Sequence, residues 1–288
     1  MLLRSLRLTE VVRLATQGPL QAVLLSSVFF ISDLTSWLSL AIMALLVLRK
    51  GLQSVAVVCL ALLGMQFLPG LGVRVIDTLV LLTLLMVGQT LRTTVRLDLA
   101  LMSAAVIGSV LVAMTHIYAN HLFAPYMQGI VEFNRVLPEI AKTINESTET
   151  YLLRILSVWV VLKVSLILLL ARYWQSVLFN PQGFGAEFLA LRMSMLVTFG
   201  WVIAVLLLQL VPEPMRGLSS GLNLPLLLTG IAVCHWAWTH FAIKTPWRVL
   251  FYLLLMIIYP MVILLGVMDS LTDIRQRLTG NSAPKNDN

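Results

Sequence analysis

The chain has 288 residues, of which 59% are hydrophobic and 11% charged, against roughly 45–50% and 25% in an ordinary soluble domain. No water-soluble fold hides that much apolar surface, so the bilayer is the solvent and backbone hydrogen bonds close within helices. The formal charge of +7 does not point to nucleic acid, because the basic residues stand singly or in pairs at the ends of apolar runs, as topology signals do.

In chain order, Arg4, Arg7, Glu10 and Arg13 spread over an amphipathic start that leads into a retained helix, unlike a cleaved signal peptide. Apolar segments follow at 19–32, 36–48, 52–68, 73–91, 98–118, 151–171, 190–211, 219–241 and 247–268. Most approach the length, about 17–25 residues, that a bilayer core demands of a helix. The first two are short and parted only by the stretch Ser32 to Ser36, which makes them either a tight hairpin or a pair that does not fully cross. The expected fold is an all-α, polytopic transmembrane helical bundle with eight or nine crossings. It fills a single membrane domain over 1–279 and leaves a disordered polar tail over 280–288.

Nine crossings with a cytoplasmic N-terminus put eleven basic residues in the inside loops and four (Arg74, Arg135, Lys142 and Arg216) in the outside loops, as the positive-inside rule prefers. This is the expected topology, in the inner (cytoplasmic) membrane of a bacterium. The cost is a tail with Arg275, Arg277 and Lys285 outside, which an even number of crossings would bring back in. One hydrophilic excursion, about 120–150, carries Glu132, Glu139, Glu146 and Glu149 against Arg135 and Lys142. Ile130, Phe133, Leu137, Ile140 and Ile144 recur there at steps of three and four, which predicts an amphipathic helix on the membrane or over the bundle.

Catalytic motifs are missing: there is no phosphate-binding glycine loop, no HExxH and no GxSxG. The expectation is a non-enzyme without cofactor or metal. Cys59 and Cys234 lie inside apolar runs and read as small buried hydrophobes. His116 with His121, and His235 with His240, stand five residues apart, a spacing that sends the two rings off one helical face. The informative charge is Lys163, central in its apolar segment, where a lysine costs roughly 2.5–3.5 kcal/mol and needs protein, water or a partner. Asp77 is its best intramembrane acid. The pair reads as a structural tie between helices or as a ligand or ion contact, and a lysine that merely snorkels is the third reading. Ala100, Ala104 and Gly108 form one small-residue line, with Ala105, Ser109 and Ala113 beside it; such lines serve helix packing or the docking of a membrane partner.

After the sixth segment the run 171–193 reads ARYWQSVLFNPQGFGAEFLALRM, expected to form a cytoplasmic loop over about 172–189. Asn180-Pro181 followed by Gly183 is a turn signature, and Trp174, Phe179, Phe184 and Phe188 suit an aromatic anchor at the membrane surface. The pattern Arg172, Trp174, Gln175, Asn180, Pro181, Gly183 resembles the signature of the YybS-like family of bacterial membrane proteins, a domain of unknown function. Phe184, Glu187, Phe188, Leu191 and Arg192 continue it. Leu48 to Leu52 resembles the family's Leu-Arg-x-Gly-Leu turn, and Gly266, Asp269, Asp273 and Arg275 its C-terminal pattern. The resemblance implies a distant likeness, over the first six segments (19 to 171), to the substrate-capture subunits of energy-coupling-factor vitamin transporters and to the rod-shape protein MreD.

Two functions are expected in consequence. The first is a transporter-like, small-molecule-binding component that uses Lys163 and Asp77, with a transporter ATPase as partner. The alternative is a scaffold for envelope or cell-shape assembly, in which the loop from Arg172 to Arg192 docks an envelope-synthesis protein. The lipid bilayer is a partner in both, and nucleic acid in neither.

Overall fold

The computed structural model describes residues 10–68, 72–138, 147–179 and 183–280, and every regular element among them is helical. A helical stretch over 10–15 precedes α1 (Pro19–Phe30), α2 (Ser36–Lys50), α3 (Leu52–Met65), α4 (Val75–Thr94) and α5 (Leu97–Ala119). A 3-10 turn at Asn120–Phe123 carries α5 into α6 (Ala124–Val136). Then come α7 (Thr148–Phe179), α8 (Gly183–Leu189), α9 (Met195–Leu208), a 3-10 turn (Met215–Leu218) and α10 (Ser219–Leu222). The chain ends on α11 (Leu224–His240), α12 (Thr245–Thr272) and α13 (Ile274–Gly280). Of the tail expected over 280–288, Gly280 ends α13 and residues 281–288 lie outside the described residues.

Five helical stretches are long and apolar enough to cross a membrane: Val75–Thr94, Leu97–Val136, Thr148–Phe179, Met215–His240 and Thr245–Thr272. The segments expected at 19–32, 52–68 and 190–211 do form helices, but of 12, 14 and 14 residues. At 1.5 Å per residue these reach about 18–21 Å, short of the roughly 30 Å of a hydrocarbon core. The stretch 190–194 is irregular, so part of the third run goes into a connection. The excursion is helical over 120–136, and Phe123 and Ile130 are buried there. Phe133 and Leu137 stay largely exposed, and Ile140 and Ile144 lie outside the described residues.

α2 is the hub of the N-terminal region. Every residue from Ser39 to Leu48 is buried, as befits a helix apolar all round, and α1, α3, α4 and α7 pack about it. The corner from α2 to α3 turns on Gly51 at φ +86, where a Cβ would stand 2.0 Å from the Arg92 guanidinium. Only glycine allows both the left-handed backbone and that approach. α5 meets its neighbours through its small residues: Ala100, Ala104 and Gly108 are buried, with Gly108 against Val160 and Val161 of α7. On the neighbouring line Ala105 joins Val161 and Leu224, and Ser109 faces Gly221. Both lines serve packing within the chain.

The C-terminal pair is built differently. α11 and α12 cross at Gly230 and Gly266, where added Cβ atoms would meet the Val262 and Leu226 carbonyls at 1.9 and 2.4 Å. Elsewhere α12 is largely uncovered: 11% of its most apolar stretch is buried, against 56% in α7.

The end of α12 and the residues after it meet the stretch before α9, which the expected nine crossings do not allow. Arg192 pairs with Asp273, and the Arg275 guanidinium donates to the carbonyls of Leu189 and Leu191. Nine crossings would place Arg192 and Arg275 on opposite faces of the membrane. A salt bridge cannot reach across a core of roughly 30 Å, so the two lie together.

Candidate functional site

The expected lysine–carboxylate pair is present, and it belongs to a longer chain of charges. α7 is one helix of 32 residues with Lys163 near its middle, and Asp77 stands in the first turn of α4. Lys163 donates to Asp77 Oδ1, while Asp77 Oδ2 faces Arg74 Nη1 at 3.6 Å. Arg74 in turn pairs with Asp33 and lies over the Phe30 ring, 5.1 Å from its centroid. The order Asp33, Arg74, Asp77, Lys163 alternates in sign, so each inner charge has an opposite charge on both sides, as burial of ions demands.

Local chemistry sets each member. The Asp33 turn is closed by side-chain bonds to the backbone: Thr35 Oγ1 to the Phe29 carbonyl at 2.7 Å, Ser36 Oγ to the Asp33 carbonyl at 3.1 Å, and Trp37 Nε1 to the Leu34 carbonyl at 2.7 Å. These bonds hold the Asp33 carboxylate outward, where it is exposed. Gln66, buried at the end of α3, donates to Thr78 Oγ1 at 2.9 Å and accepts from the Arg74 backbone N–H at 3.0 Å. That latch fixes the start of α4 and with it Arg74 and Asp77.

Two chambers of about 580 and 410 Å³ open beside this chain and share Asp33, Trp159 and Lys163 as walls, in the size range of small-molecule sites. The larger is apolar, walled by Leu162, Leu166, Ile167 and Leu170 of α7. The smaller is polar, walled by Ser36, Arg74, Asp77 and Tyr126. An ammonium has three N–H donors, and among the described residues Lys163 spends one, on Asp77. The lysine is therefore held in place and has donors left.

Within the run 172–189, residues 172–179 and 183–189 are helical. α7 continues through Arg172, Trp174 and Gln175, and Gly183 opens α8; Asn180 and Pro181 lie outside the described residues. Trp174 is buried, not a surface anchor. Arg172 staples α7 to α8 through Glu187 at 2.8 Å and also bonds Gln175 at 2.8 Å. Phe184 meets Tyr173 and Phe188, each at 6.0 Å between ring centroids, and Phe188 meets His235 at 5.7 Å. These rings pack helices together. At the far end of the signature, Arg192 beside Asp273 holds that carboxyl below the usual carboxylate range.

A second buried pair, Asp269 with Arg275, is closed. Arg275 Nη2 and Nε donate to Asp269 Oδ2 at 2.7 and 3.1 Å, and Nη2 also reaches the Leu191 carbonyl at 2.9 Å. Reasoning from sequence missed Asp33 and Arg74 as members of the Lys163 network. The spacing of Arg74 and Asp77, three apart at a helix start, was the available signal. Among the described residues no three His, Cys, Asp or Glu side chains cluster as a metal site requires. No protein-family model, curated protein or solved structure matches this chain.

Proposed function

We propose that the chain is a transporter-type binding component of the bacterial inner membrane, without enzymatic activity, in which Lys163 is the ligand contact. The observation that supports this reading is a lysine fixed by Asp77 at the junction of two chambers, with donor capacity unspent. Membership of the YybS-like family, and a capture-subunit-like unit over the first six segments, belong to the same proposal. So does an even number of crossings, with the N-terminus, Arg192 and the tail all cytoplasmic. Native mass spectrometry of the purified chain tests the binding claim: a retained small molecule that is lost in Lys163→Met is the expected result. Identical spectra for the two proteins contradict it. A reporter fused after Asn288 tests the topology, with cytoplasmic fluorescence expected and periplasmic phosphatase activity against it.

The scaffold reading keeps one support, the exposed Tyr173 and Phe179 at the α7 end. Cross-linking from Tyr173 discriminates, since recovery of envelope-synthesis proteins favours the scaffold and recovery of a transporter ATPase favours binding for transport.

A further inference from the structure

We infer, resting on the binding reading above, that the Lys163 groove takes an amphiphile from within the bilayer, with an anionic head group (phosphate or carboxylate) at Lys163 and an apolar tail along α7. The order of the two chambers carries this. The polar one lies at helix ends, where the Asp33 turn and the start of α4 meet. The apolar one runs from Lys163 to Leu170, seven residues along α7 and about 10 Å at 1.5 Å per residue. Polar group first and hydrocarbon behind it is how a lipid of one leaflet is arranged.

The rim agrees. Leu34, Trp37, Trp159 and Leu166 wall the apolar chamber and are all exposed, so the groove is open along its side, where an acyl chain would enter from the bilayer. The sign of the head group follows from what is already engaged. Both oxygens of Asp77 face cations, Lys163 and Arg74, whereas Lys163 spends one of three donors among the described residues. An anion meeting a desolvated ammonium gains a charge-assisted hydrogen bond strengthened by the low dielectric. A water-soluble anion leaves the apolar chamber empty, and a neutral lipid leaves the donors idle.

The test uses the full chain in phosphatidylcholine nanodiscs doped with phosphatidic acid that carries a photoreactive diazirine in its acyl chain. Labelling is expected to concentrate on the peptide spanning Trp159 to Leu170. It is expected to fall at least fivefold in Lys163→Gln, to survive in Lys163→Arg, and to fall in Leu166→Trp, which fills the tail chamber and keeps the charge. Equal labelling by diazirine-tailed diacylglycerol, or labelling unchanged in both Lys163→Gln and Leu166→Trp, overturns the proposal. Calorimetry with inorganic phosphate separates the two levels. Binding of free phosphate that depends on Lys163, without preferential lipid labelling, overturns the amphiphile and leaves the small-molecule reading standing; loss of both signals removes both.

Discussion

Asp77 with Lys163 and Asp269 with Arg275 are both carboxylate–cation pairs withdrawn from solvent, but the first borders open space and the second does not. Asp269 is 0% exposed, and Arg275 fills its carboxylate and two backbone carbonyls besides. Lys163 is 18% exposed and lines both chambers. An ion pair in an apolar protein thus says little by itself about function. What separates a clamp from a binding site is donor capacity left over, together with room to use it.

The same substitution in each pair sharpens the contrast. Arg275→Met removes the guanidinium that pairs with the buried Asp269 carboxylate, and the expected loss is about 3–5 kcal/mol, read as a fall in melting temperature in detergent. Asp77→Asn is next: it removes the acid to which Lys163 donates but leaves the lysine able to reach the groove, so the expected loss is about 2–3 kcal/mol, below that of a fully enclosed pair. Lys163→Met is expected to stay within about 1 kcal/mol of the parent, because Asp77 keeps Arg74 and an apolar side chain no longer has to be desolvated as a charge. If Lys163→Met melts as low as Arg275→Met, both pairs are structural.

The smallest effect is a pH dependence at Asp273. Its carboxyl titrates below its ordinary value because Arg192 bonds it. The bridge therefore adds stability above the unfolded pKa of about 3.9, and loses it as pH falls through the lower, folded value. The melting difference between the parent and Asp273→Asn is expected to narrow on acidification from about pH 6 to pH 3. A constant difference across that range would show that the bridge does not form in solution.

Much of this was legible in the residues. An apolar run such as Ser39 to Leu48, with no polar face, had to be a buried helix, and a lysine amid Val160 to Val164 had to find an acid. The small-residue line of α5 announced close packing. Crossing number was not legible, because hydropathy reports an apolar run and not how much of it turns: Pro19–Phe30 and Met195–Leu208 end short of a bilayer. That the tail lies beside Arg192 followed from Asp273 and Arg275 meeting Arg192 and Leu191, contacts between positions more than eighty apart that no local pattern reveals. The signature from Arg172 to Arg192 suggested a docking loop, but Trp174 is buried and Arg172 is a staple. Structural and recognition residues look alike in a sequence until their partners are known.

The most direct test compares three proteins, the parent, Lys163→Met and Lys163→Arg, in phosphatidylcholine nanodiscs with and without phosphatidic acid. A ligand that binds only the folded state raises the melting temperature by mass action. The expected result is a rise for the parent and for Lys163→Arg, with none for Lys163→Met despite its near-parental stability. An equal rise in all three would contradict the assignment of Lys163 as the binding group.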